Sequence, residues 1–82
     1  MSLAAVWDFP ALTSFKEIPW PTSEKVAEAV YRFACRPNLP AGRHSIRAAG
    51  YEVPVRVDHT LGTVLVLHVY EAFPRSFRRP SR

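Results

Sequence analysis

The chain has 82 residues, which leaves room for one hydrophobic core and no second domain. With 48% hydrophobic and 22% charged residues it has the make-up of a folded soluble domain, and no apolar run approaches the roughly 20 residues of a membrane span. The one cysteine, Cys35, excludes an internal disulfide and a cysteine-based zinc site. The N-terminus has no basic stretch leading into an apolar one, so no secretory signal is expected, and the expected compartment is the reducing cytoplasm.

The net charge of +4 is unevenly placed. Residues 1–36 carry Lys16, Lys25, Arg32 and Arg36 against Asp8, Glu17, Glu24 and Glu28 and sum to zero. Residues 37–82 carry seven arginines against Glu52, Asp58 and Glu71, which is the whole surplus. An arginine-rich half suits a polyanion or an acidic protein partner; the plain alternative is a solvated basic surface.

Ala4–Phe9 is short and apolar, and its Val6 and Trp7 favour a strand. Pro10 ends it and suits the first turn of a helix over Ala11–Ile18, with Leu12, Phe15 and Ile18 toward the core. Pro19-Trp20-Pro21 closes that helix. Thr22 or Ser23 then caps a second helix, with Glu24 in its first turn. Val26, Ala29, Val30, Phe33 and Ala34 form one apolar stripe at helical spacing. Lys25, Glu28, Arg32 and Arg36 take the other side, with Glu28 and Arg32 as an i,i+4 pair. Cys35 flanks the stripe and is expected buried and inert. Pro37–Gly42 is a loop.

The remainder reads as strands. Arg43–Ala48 leads into a tight Ala49-Gly50 turn. Tyr51–Asp58 alternates strictly, with Tyr51, Val53, Val55 and Val57 inward and Glu52, Pro54, Arg56 and Asp58 outward. Pro54 has no N–H to donate, which implies an edge or a bulge. His59–Gly62 is a hairpin loop, and Thr63–Tyr70 is the most apolar strand. Unbroken alternation over 63–70 puts Leu65, Leu67 and Val69 in the core and Val64, Val66, His68 and Tyr70 on the open face. Residues 1–74 form the domain, and 75–82 read as a basic tail that is loose beyond Phe77.

The order is therefore β-α-α-β-β-β: an α+β fold with two N-terminal helices on one face of a small, mainly antiparallel sheet. The open face collects Arg43, Ser45, Arg47, Glu52, Arg56, His68 and Tyr70. Three arginines suit phosphate, a carboxylate and an imidazole suit proton transfer, and a phenol suits base stacking. Each also has an ordinary reading: Glu52 as a surface carboxylate paired with Arg56, His68 as a hydrogen-bonded strand residue, Tyr70 as a rim aromatic. His44 falls on the core side, and His44 and His59 are poorly placed for a metal.

The run Ala49-Gly-Tyr-Glu-Val-Pro-Val-Arg-Val-Asp58 followed by Gly62-Thr-Val-Leu-Val-Leu-His-Val-Tyr70 resembles the paired strands of the RelE/ParE superfamily of bacterial toxin–antitoxin modules. Phe15–Trp20 and the Val26–Phe33 helix resemble that family's helical region. The resemblance spans roughly residues 4–75. It implies either a RelE-like endoribonuclease, in which a ribose 2′-OH attacks the neighbouring phosphate of messenger RNA on the ribosome, or a ParE-like inhibitor of DNA gyrase. It also implies an acidic antitoxin as partner and no cofactor. Under it, Glu52, His68 and Arg56 are the candidate catalytic residues, and Arg43, Arg47, Arg56, Tyr70 and Arg75 the candidate RNA-binding ones. The sequence departs from the family pattern in four places. Ser45 stands where a further lysine is common, and Glu52 where an arginine is usual. Tyr70-Glu71-Ala72 lacks the arginine found after that strand, and Phe77 is nearest to a tyrosine position. A third outcome, a small basic binding module that has lost toxicity, stays open beside the two toxin branches.

Overall fold

The computed structural model describes residues 3–72. The elements run β1 (Ala4–Trp7), α1 (Phe9–Lys16), α2 (Thr22–Ala34), β2 (Gly42–Ala48), β3 (Tyr51–Asp58), β4 (Thr63–Val66) and β5 (Tyr70–Glu71). The expected fold class is the one observed. The main sheet has the order β1-β4-β3-β2, and β5 continues the pairing along β3. β1 runs parallel to β4; every other pairing is antiparallel. The proposed tail, 75–82, lies outside the described residues.

Asp8 shifts the start of α1. Its carboxylate accepts the Phe9 N–H at 2.9 Å, so Phe9 opens the helix and β1 stops at Trp7. That phase buries Ala11 and leaves Leu12, expected inside, exposed. Phe15 meets Trp7 of β1 with ring centroids 4.9 Å apart, which fixes α1 against the sheet. In α2 the stripe holds: Val26, Val30, Phe33 and Ala34 are buried and Ala29 is half-buried. The helix starts without a side-chain cap, since Pro21 precedes Thr22. Glu28 and Arg32 are paired at 2.9 Å. Cys35, expected buried, is exposed, because it lies one residue past the helix on the solvent side. Ala49 and Gly50 both have positive φ, 52° and 85°, the geometry that lets a two-residue turn follow the twist of a hairpin.

The largest departure lies after the second hairpin. Val55 faces Val66, whereas Glu52 faces Tyr70. Two residues of β3, Val53 and Pro54, therefore span three on the other strand, Leu67, His68 and Val69. This is a one-residue β-bulge. It divides the expected 63–70 strand into β4 and β5 and reverses the alternation between them. Val64 and Val66 are fully buried, not open-faced, and Leu65 and Leu67 are half-buried rather than core. Past the bulge, Val69 is buried and Tyr70 exposed, as expected. Pro54 sits opposite the bulge on a central strand and still accepts the Leu67 N–H at 2.9 Å. The bulge alternative for Pro54 is thus the one realised.

Candidate functional site

β2 and β3 are in register, with Arg43 opposite Arg56, Ser45 opposite Pro54 and Arg47 opposite Glu52. All six lie on the face away from the helices. The Pro54 carbonyl points to Leu67, away from β2. Along a strand both backbone groups of one residue point the same way and reverse at the next. The three facing pairs therefore lack mutual backbone hydrogen bonds, the arrangement in which opposed side chains stand closest.

Two rows cross the open face on either side of Ser45 and Pro54. One runs Val6, Leu65, Arg56, Arg43 from β1 to β2. The other runs Tyr70, Glu52, Arg47 from β5 to β2. In the first row, Arg43 and Arg56 are both exposed, and no described acidic side chain pairs with either. Two opposed guanidinium groups without counter-charge repel each other and favour an anion between or above them. Beside them, Val6, Leu61, Thr63 and Leu65 with Arg56 and Asp58 line a shallow, mainly apolar depression of about 330 Å³. The Asp58 carboxylate is used in the hairpin, where it accepts the Leu61 N–H at 3.0 Å.

In the second row the Glu52 carboxylate is engaged on both oxygens. Ser45 Oγ donates to it at 2.9 Å, and Arg47 lies 3.6 Å from its other oxygen. Its ion-pair partner is Arg47 and not Arg56, because Arg47 is its cross-strand neighbour. Ser45 acts as a donor to this carboxylate. Continued without a break from Val55 and Val66, the ladder would put Glu52 opposite Val69; the bulge sets it opposite Tyr70 instead. His68 reaches the row by another route. Its ring stacks on Tyr70 with centroids 4.4 Å apart and planes 9° from parallel. Nδ1 of His68 accepts the Val69 N–H at 2.9 Å and lies 3.1 Å from the Val69 carbonyl oxygen. The Val69 backbone therefore occupies Nδ1 in either tautomer, its N–H donating to a bare Nδ1 or its C=O accepting from an Nδ1–H.

Glu52, Tyr70, His68, Arg47 and Ser45 are thus brought together, with the Arg43–Arg56 pair two rows away, beyond Ser45 and Pro54, about 13 Å along the strands. Arg75 lies outside the described residues. His44 and His59 hold the Leu39–Pro40 loop: His59 Nε2 is 2.6 Å from the Leu39 carbonyl and His44 Nε2 2.8 Å from that of Pro40. Among the described residues no group of three histidine, cysteine or acidic side chains could hold a metal. Sequence reading missed the part of Ser45 as Glu52's donor; the diagonal offset across β2 and β3, two residues from its direct partner Pro54, is the signal that points to it.

No protein-family model matches the chain, and no curated protein matches it. Solved structures do. A chain of the RelBE2 toxin–antitoxin complex of Mycobacterium tuberculosis is similar with a TM-score of 0.73 at 22% identity, over 88% of this chain and 94% of that one. A double arginine-to-alanine mutant of the E. coli toxin RelE in the free state is similar with a TM-score of 0.71 at 16% identity, over 94% of this chain and 90% of that one.

Proposed function

We propose that this chain, which has the fold of the RelE toxins, is the toxin of a bacterial type II toxin–antitoxin module and cleaves messenger RNA at the ribosome. The observation that carries the reading is the Arg43–Arg56 pair, which has no acidic partner among the described residues and shares one sheet face with Glu52, Tyr70 and His68. Arg47, beside Glu52, would hold the scissile phosphate, with Arg43 and Arg56 on a neighbouring one. Glu52 would take the proton from the attacking ribose 2′-OH. The new 2′-O–P bond forms as the P–O5′ bond breaks, leaving a cyclic phosphate. His68, through Nε2, would protonate the departing 5′ oxygen. Tyr70, half-exposed and stacked on His68, offers a surface for a flanking base. The expected partner is an acidic antitoxin encoded beside this gene, acting by covering the basic face.

One observation favours a second reading, a toxin-like protein that binds without cutting, DNA gyrase or a nucleic acid being its target. Both oxygens of Glu52 are already engaged, by Ser45 and Arg47, as those of a purely structural carboxylate would be. Expression of the chain in bacteria, with and without its acidic neighbour, tests the toxin role. Incubation with translating ribosomes and mapping of fragment 3′ ends tests the chemistry. Growth arrest with cleavage supports the first reading. Arrest without cleavage supports the second, and unimpeded growth removes both.

A further inference from the structure

We propose that the depression beside Arg56 is a subsite for one nucleotide of single-stranded RNA, taking a base that carries an exocyclic amino group, with that nucleotide's phosphate on Arg43 and Arg56. This deepens the messenger RNA reading, on which the identity of the bound strand rests. The depression, about 330 Å³, is lined by Val6, Arg56, Asp58, Leu61, Thr63 and Leu65. That is the size at which small-molecule pockets begin. Two cross-strand rows bound it: Val6, Leu65 and Arg56 in one, Ala4, Thr63 and Asp58 in the next. Its floor is aliphatic. Val6 is 44% exposed and Leu61, on the hairpin, 72%, so apolar area stands in water that a flat ring would cover.

Polar groups around this floor select the occupant. Arg56 lines the depression and stands opposite Arg43, and no described acidic side chain pairs with either. Leu65 and Val6 lie one and two strands from Arg56, about 5 and 10 Å away. A nucleotide spans that step, with its phosphate at the arginines, its base over the leucine and valine, and the ribose between. Asp58 faces the base from the next row. Its Oδ1 accepts the Leu61 N–H at 3.0 Å, and among the described residues Oδ2 has no hydrogen-bond partner. A carboxylate oxygen accepts from an amino group, as aspartate does from cytosine N4. Uracil offers one ring N–H between two carbonyl oxygens, which a carboxylate repels. Adenine, cytosine and guanine each carry an amino group, so Asp58 discriminates against uracil. An apolar side chain of a protein fits the floor but strips water from Asp58 Oδ2 and Arg56 without pairing them. A second copy of this chain brings a net charge of +4 to a rim that already holds the arginine pair.

The probes are 2′-O-methyl hexanucleotides of cytidine and of uridine, which present the same phosphates and have no 2′ proton to give, so neither is cleaved. Each is titrated into the full chain and followed by backbone amide shifts. Both should shift Arg43 and Arg56. The cytidine oligomer should bind about tenfold tighter and also shift Val6, Leu61, Thr63 and Leu65. Asp58→Asn keeps an oxygen for the Leu61 N–H and removes the second acceptor, so the preference for cytidine should be lost. Leu61→Ser, at an exposed hairpin position, should weaken the cytidine oligomer about threefold by removing a wall of the depression. Equal affinity for the two oligomers, a preference unchanged in Asp58→Asn, or shifts that spare Val6 and Leu65 would overturn the subsite. Shifts at the depression that grow with protein concentration in the absence of RNA would assign it to a second copy and overturn it too. Cleavage on translating ribosomes, with equal binding of the two oligomers, removes the subsite and keeps the reading it rests on. A cytidine preference that Asp58→Asn abolishes, with no cleavage on ribosomes, keeps the subsite and removes that reading.

Discussion

Arg43 and Arg56 stand directly opposite each other on β2 and β3, a cross-strand pair of like charges with no acidic partner among the described residues. A fold gains nothing from this placement, because opposed like charges on a sheet are destabilising. Such a pair favours an anion between or above it.

That gives the first prediction. Arg43→Thr relieves the repulsion and keeps a residue suited to a strand. The free protein should melt roughly 1–8 °C higher at low ionic strength, and the gain should shrink with salt. RNA affinity should fall, and the slope of log affinity against log salt should lessen by about one unit. A variant that melts lower, or binds RNA with an unchanged slope, would show that the pair is not a phosphate site.

The second prediction separates the two sides of β4. Val66 is fully buried among the sheet and helix residues, while Leu65 beside it is half-buried on the open face. Val66→Ala removes core contacts and leaves a cavity, costing about 2–3 kcal/mol. Leu65→Ala removes a larger side chain but should cost under about 1.5 kcal/mol, since much of that surface is already wet. Urea midpoints of the two variants decide it. The reverse order would mean that β4 turns its other side to the helices.

The same residues show how far the sequence can be read. β3 is legible residue by residue, because Tyr51–Asp58 alternates polar and apolar and one parity alone buries its valines. The stretch Thr63–Leu67 is apolar at both parities, so alternation carries no information there, and the parity depends on the irregular step at 67–69. The clue was Pro54, which cannot donate to a ladder and so accompanies a bulge on its neighbour. On the site side, Glu52, Arg43, Arg47 and Arg56 follow from alternation alone. The Ser45–Glu52 bond and the His68–Tyr70 stack do not, because both depend on register across strands and on the bulge.

The third prediction follows from the bulge. Leu67 already faces Pro54 through a backbone bond, and Val69 lies on the core side as Val53 does. Removing His68 would let 63–71 pair with β3 as one continuous strand without moving any core side chain to the wrong face. The deletion variant should therefore fold, with a cooperative melt and an unchanged far-ultraviolet circular dichroism spectrum. Deleting Leu65 instead, which flips the buried residues of β4 relative to β3, should abolish folding. Equal damage from the two deletions would show that the bulge is required by the fold and not added to it.

The last prediction concerns the chemistry. The bulge holds the His68 imidazole against Tyr70, with Nδ1 on the Val69 backbone. If His68 is the acid for the leaving 5′ oxygen and Glu52 the base for the 2′ proton, each contributes what a positioned proton-transfer group typically does, ~10²–10⁴-fold. Glu52→Gln keeps an acceptor for Ser45 and the side-chain length, so the fold and RNA binding should be retained while cleavage falls by that factor. His68→Ala should lower cleavage comparably with RNA affinity little changed. Ser45→Ala frees one Glu52 oxygen without removing the carboxylate, and its effect on cleavage should be smaller than that of Glu52→Gln. Because the two proton transfers serve one displacement, the double variant Glu52→Gln, His68→Ala should lose much less than the product of the single losses. Single-turnover cleavage of messenger RNA on programmed ribosomes measures all four variants. Cleavage that persists at the parent rate in Glu52→Gln and in His68→Ala would remove both residues from the reaction and leave the arginine face with a binding role alone.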